Sequence, residues 1–119
     1  MTQRNVRVNE LLKREISDIL HTRYQSESVY ITLTGVEVAP DLRAARVFVS
    51  VIGDEERSRT SLRWLQDQSD EIRHYLSKRI VLKYLPHLRF NLDPSIERGV
   101  HLIELLDELE EPEEDEENR

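Results

Sequence analysis

Apolar residues recur at helical spacing from Val8 to Leu20, where Val8, Leu12, Ile16, Ile19 and Leu20 form one stripe. That pattern predicts an amphipathic helix with one buried side. The opposite face carries Arg7, Glu10, Arg14 and Asp18, which at three- and four-residue separations can pair with one another. Glu15 falls inside the apolar stripe and is expected to need a partner there.

The period then changes. Val29 to Val38 is rich in β-branched residues, and its apolar positions are odd through Leu33 but even from Val36. A one-residue slip at Thr34-Gly35 accounts for the switch, and glycine is the residue expected at a bulge. Pro40-Asp41 signals a turn. Beyond it Ala45, Val47, Val49 and Val51 alternate with Arg46, Phe48, Ser50 and Ile52, predicting a second strand antiparallel to the first.

Gly53 ends that strand, and Asp54, Glu55 and Glu56 precede a helical pattern through Leu62, Leu65, Ile72 and Leu76. Acids at a helix start are explained by capping and by the helix macrodipole, without any catalytic role. The stretch from Gln66 to Glu71 is wholly polar. It predicts a kink or break, with Ser69 or Asp70 capping a second helix from Asp70 to about Arg79. Pro86 closes the connection, and Leu88, Phe90 and Leu92 alternate with Arg89 and Asn91 as a third strand. Ile96, Val100, Ile103 and Leu106 suggest a short C-terminal helix near 95–109, weakened by Gly99. The predicted class is α+β, a three-stranded sheet with helices on one face, in the order α-β-β-α-kink-α-β.

Charge changes the picture in one respect. The chain of 119 residues has a net charge of -7, but Glu110 to Arg119 holds seven acids and one base, contributing -6. The run from Glu110 contains Pro112 and no large apolar residue, so residues 110–119 are expected to form a disordered acidic tail after a folded domain spanning 1–109. That domain is near neutral, with locally basic faces. The apolar fraction of 38% suffices for a modest core of two layers and leaves little room for a large buried cavity.

Several chemistries lack their residues. The chain has no cysteine, which excludes disulfides and thiolate metal sites. His21, His74, His87 and His101 stand in no metal-ligand spacing. Gly35, Gly53 and Gly99 belong to no phosphate-cradling loop, and no nucleophile-elbow pattern occurs. A non-catalytic protein without cofactor, metal or small-molecule substrate is expected. No apolar run approaches transmembrane length and the N-terminus lacks the apolar stretch of a secretion signal, so a cytoplasmic location and no membrane contact are expected.

Three blocks taken together resemble a known family: RVNELLKREI at Arg7 to Ile16, VEVAPDLRAARVFVSVIG at Val36 to Gly53, and IRHYLSKRIVLKYLPHLRFNLD at Ile72 to Asp93. In their order and spacing the chain is similar, over nearly its full length before the acidic tail, to the ribosome-binding factor A family of bacterial assembly factors. The resemblance implies a type II KH-like fold. It also implies binding to the free small ribosomal (30S) subunit and its 16S rRNA during late rRNA maturation, and a role in growth at low temperature. The family usually carries an alanine, any residue, then a glycine at the kink, where this chain has Gln68, Ser69 and Asp70. A kink is therefore expected at these three residues, with the Asp70 carboxylate either capping the next helix and pointing inward or leaving the RNA contact to neighbouring residues.

Lysine and arginine supply most of the affinity of proteins for nucleic acid. The candidate RNA-binding residues are Arg73, Lys78, Arg79, Lys83 and Arg89 along the later helix, loop and third strand, with Arg73 and Lys78 expected toward solvent. Arg4, Arg7 and Arg14 form a possible second edge on the first helix, and Arg43 and Arg46 a third beside Phe48. Phe48 could stack on an unpaired base or simply pair with Tyr30 across the sheet. The acidic tail could repel non-specific RNA or occupy the basic face until the ribosome displaces it. Nothing in the sequence demands a dimer, so a monomer is expected. The rival reading is a protein interaction module that pairs through an exposed strand edge without touching RNA.

Overall fold

The apolar stripes resolve into six elements in the computed structural model, which describes residues 3–94, with side chains from Asn5 onward. They are α1 (Gln3–Arg23), β1 (Ile31–Val38), β2 (Ala44–Val51), α2 (Glu55–Asp67), α3 (Ser69–Ser77) and β3 (His87–Leu92). This is the order expected of a type II KH-like domain. The proposed C-terminal helix near 95–109 and the tail at 110–119 lie outside the described residues.

Leu12, Ile16, Ile19 and Leu20 of α1 are completely buried, as are Leu65 of α2 and Ile72 and Leu76 of α3. They cover the sheet face formed by Ile31, Leu33, Val36, Val38, Ala45, Val47, Val49, Leu88 and Phe90. Each Leu, Ile, Val or Phe side chain so withdrawn from water contributes about 1.5–3 kcal/mol, so this single interface between helices and sheet supplies the core.

The strands lie in the order β1-β2-β3. β1 and β2 are antiparallel, and their register shifts between Leu33, opposite Val49, and Gly35, opposite Phe48. The extra residue keeps both Leu33 and Val36 on the core face, and Thr34 Oγ1 donates to the Phe48 carbonyl at 3.2 Å across the irregularity. β1 begins at Ile31, leaving Val29 and Tyr30 exposed ahead of it. In the turn to β2 the Leu42 N–H donates to the Ala39 carbonyl at 2.8 Å and the Arg43 N–H to Asp41 Oδ1 at 3.1 Å. Leu42 itself takes a left-handed φ of 62°, uncommon for a residue with a side chain. β2 and β3 are parallel, an arrangement that requires the long helical crossover between them.

Asp54 caps α2, its side chain accepting from the Arg57 N–H at 2.9 Å, and Glu55 and Glu56 occupy the first turn. The break falls at Gln68, with φ -89° and ψ 0°. Its N–H still bonds Trp64 and Leu65 carbonyls, and its own carbonyl accepts from Ile72 N–H at 2.9 Å. The expected cap by Ser69 or Asp70 is not formed. Both lie inside α3, which starts after Gln68 without a side-chain cap and ends at Ser77. The chain bends with helical hydrogen bonds retained through the joint, so no exposed N–H calls for a capping oxygen.

Candidate nucleic-acid interface

A depression opens where α2 passes into α3 alongside β3, lined by Gln66, Ser69, Asp70 and Arg73 from the helices and by Ala44, His87, Leu88 and Arg89 from the strands. Gln66 links its helical side to the sheet. The amide Nε2 donates to the Leu88 carbonyl at 3.0 Å and Oε1 accepts from the Phe90 N–H at 3.1 Å, so one side chain engages the outer edge of β3 as a neighbouring strand would.

Arg73 departs from its expected place on the solvent side. It is half-buried, with Nε on the Pro86 carbonyl and Nη2 on the Leu85 carbonyl, each at 2.9 Å. The cause lies beyond α3: the chain turns back at a fully buried Pro86, and the two carbonyls there require a donor. Arg73 therefore fixes the loop between α3 and β3 while remaining on the cleft wall. Asp70 is exposed on the same wall.

That loop presents cations and an aromatic ring outward. Val81 is 98% exposed, and Lys78 and Lys83 are exposed as well. Tyr84, 38% exposed, has Arg43 Cζ 4.3 Å and Lys83 Nζ 5.4 Å from its ring centroid. Backbone links join this group to the cleft, because the His87 N–H donates to the Arg43 carbonyl at 2.9 Å.

The other candidates sit differently. Arg79 Nη1 is 2.5 Å from Asp18 Oδ2 and 3.4 Å from Glu15 Oε1, so it ties α3's end to α1 and gives Glu15 the partner its position demanded. Its guanidinium pKa is raised, chiefly by the hydrogen bond to Asp18. Arg46 pairs with Glu37 at 2.5 Å on the open sheet face, with its Cζ 5.7 Å from the Phe48 ring, and lies opposite Arg89 in the strand register. Arg14 pairs with Glu15 at 3.5 Å and lines a depression on α1 alongside Glu10, Lys13, Ser17, Asp18 and His21, where both charge signs are present. Arg7 is exposed on α1 and does not line the cleft, and the Arg4 side chain lies outside the described residues.

The structure thus brings Arg73 and Arg89 into the cleft lining and Arg43 and Lys83 to the Tyr84 ring in the neighbouring loop, and leaves Arg7 and Arg14 on another element. Sequence reasoning missed Gln66 and His87, which line the cleft, and Tyr84 in the loop beside it, and passed over Arg59 and Arg63 on α2, which do not line the cleft. These two arginines are exposed and share a helical stripe with Gln66. Their four-residue spacing on a polar face was the available signal. Among the described residues, no group of three or more histidine or acidic side chains is arranged to hold a metal, and no helix is long and apolar enough to cross a membrane.

Residues 4–106 match the family model described as Ribosome-binding factor A. Curated relatives include the Ribosome-binding factor A of Opitutus terrae, 50% identical over 110 residues, covering 92% of this chain and 90% of that protein. That of Acetivibrio thermocellus is 42% identical over 108 residues, covering 89% and 88%. In fold the chain is similar to the crystal structure of ribosome-binding factor A from Thermus thermophilus, with TM-score 0.66 and 22% identity over 74% of this chain and 94% of that one. It is also similar to the Thermus thermophilus homology model fitted into a cryo-EM map of a 30S complex, with TM-score 0.58 and 23% identity over 70% and 88%.

Proposed function

This chain belongs to the ribosome-binding factor A family, and we propose that it is a non-catalytic assembly factor that binds the free small ribosomal subunit as a monomer and contacts its 16S rRNA during late maturation. The observation that carries the RNA contact is that Arg89 lines the kink cleft while Arg43 and Lys83 flank the Tyr84 ring, joined to the cleft by the bond from the His87 N–H to the Arg43 carbonyl. Among the described residues none of the three has a carboxylate partner in an ion pair, whereas Arg14, Arg46 and Arg79 do. Cations left uncompensated beside a groove favour a polyanion by releasing its counterions. The Thermus thermophilus neighbour's fit to a 30S complex supports the same partner here.

The rival reading, pairing through a free strand edge, is disfavoured at β3, where Gln66 already engages the Leu88 carbonyl and the Phe90 N–H.

The test is co-sedimentation with isolated small subunits over a salt series, comparing wild type with Lys83→Glu/Arg89→Glu, two exposed cations of this group with no carboxylate partner among the described residues. Wild-type binding should fall as a power of salt concentration, and the variant should bind more weakly with a shallower slope. Full sedimentation by a folded variant at every salt concentration would sink this interface.

A further inference from the structure

We propose that Tyr84, layered with Arg43 and flanked by Lys83, is a subsite for one unpaired nucleotide, its base stacked against the Arg43–Tyr84 pair and its phosphate beside Lys83. The proposal rests on the RNA-binding reading above and names what this part of the surface takes.

The loop's own pattern places the ring. Ile80, Leu82 and Leu85 pack against the core, while Val81, Lys83 and Tyr84 face outward. Tyr84 keeps more than a third of its surface in water although it is bracketed by core-packing leucines. Both halves of the platform are held by backbone. On one side Arg73 binds the Leu85 and Pro86 carbonyls that follow the ring. On the other, Arg43 donates its N–H to Asp41 Oδ1, and its carbonyl accepts from the His87 N–H. A ring and a guanidinium already in position lose little freedom on binding, which favours affinity.

The chemistry selects the ligand. Tyr84 is the one ring among the described residues with two cations within 6 Å. Those cations exclude a cationic guest and favour an anionic one, and no carboxylate among the described residues pairs with either. An aromatic face beside two positive charges matches a nucleotide, which joins a π surface to a phosphate. Bases within a duplex offer no free face, so the guest is single-stranded. Phe48, the aromatic expected to stack, is the weaker platform: its arginine, Arg46, is held by Glu37.

The experiment uses the full chain with a ten-nucleotide single-stranded oligoadenylate and, in parallel, isolated small subunits, for wild type, Tyr84→Phe and Tyr84→Ala. Tyr84→Ala should bind both targets roughly tenfold or more weakly with an unchanged salt slope, and Tyr84→Phe should stay within about twofold of wild type. Equal binding of both targets by wild type and Tyr84→Ala overturns the subsite and leaves the family reading standing. Failure of wild type to bind either target overturns the reading beneath it. Equal RNA binding combined with lost binding of an oligoglutamate peptide assigns the ring to an acidic protein segment instead and overturns the proposal. If Tyr84→Ala does not fold, photo-cross-linking of wild type to a 4-thiouridine oligonucleotide decides: attachment at Tyr84 supports the subsite, and attachment at Phe48 or elsewhere rejects it.

Discussion

Tyr24 Oη donates a hydrogen bond to Glu71 Oε1, tying the end of α1 to the first turn of α3. The same ring meets Trp64 of α2 edge-on, with centroids 5.3 Å apart and planes at 84°, and the adjacent Arg23 lies 4.5 Å over Tyr75 of α3. One end of one helix therefore grips both sides of the joint at Gln68, and the joint has no side-chain cap of its own. Tyr24→Phe keeps the ring and removes the donor. It should cost about 1 kcal/mol in chemical denaturation, and should speed hydrogen exchange at the Ile72 amide, which bonds across the joint.

The same tyrosine gives a pH signature. Burial first, and then the hydrogen bond to Glu71, raise the Tyr24 pKa above its ordinary value of 10.0. A proton held more tightly in the folded state stabilises it fully below the unfolded pKa, and that contribution disappears as pH rises through the folded value. The stability advantage of wild type over Tyr24→Phe should hold steady from pH 7 to about 9 and shrink above about 10. Paired denaturation curves at pH 8 and pH 11 measure it.

Gln66→Leu should cost about 1–2 kcal/mol, because the Phe90 N–H and Leu88 carbonyl both lose their partner. It also reopens the edge of β3. Analytical ultracentrifugation should show more concentration-dependent association than wild type.

Arg79 and Lys78 are adjacent in sequence and should behave oppositely. Arg79→Gln removes pairs with Asp18 and Glu15 that are partly exposed, so it should cost less than about 1 kcal/mol, less still at high salt, with sedimentation on small subunits unchanged. Lys78→Glu should leave stability alone and weaken sedimentation.

Two glycines also divide. Gly53 has φ +139°, and a Cβ there would stand 2.6 Å from Arg57 Cδ, so Gly53→Ala should destabilise by about 1–3 kcal/mol. At the bulge, a Cβ on Gly35 meets nothing within 4 Å, so Gly35→Ala should be neutral or slightly stabilising. Thermal melts of the two variants test the contrast.

Features that depend on near neighbours were legible in the sequence. The parity switch at Thr34-Gly35 marked the register shift because strand side chains alternate strictly, and Asp54 marked its helix because a capping oxygen acts on an N–H three residues on. The polar stretch from Gln66 to Glu71 located the break but not its residue, since Gln68 bends with its helical hydrogen bonds intact. Long-range partners were invisible. Arg73 read as a free cation because nothing local reveals the carbonyls of Leu85 and Pro86, and Arg79 because Asp18 is brought to it only by the fold. Tyr84 went unnoticed for the same reason: its significance comes from Arg43, delivered by the turn that leads into the sheet's middle strand, some forty residues earlier in the chain.

The parallel alignment of β3 with β2 sets an order of events during synthesis. A hairpin such as β1–β2 can zip as soon as both arms emerge, but a parallel neighbour must wait for the intervening helices to swing it back. On a nascent chain the flank of β2 destined for β3 thus stays open until His87–Leu92 has cleared the exit tunnel, and the cleft is among the last features to exist.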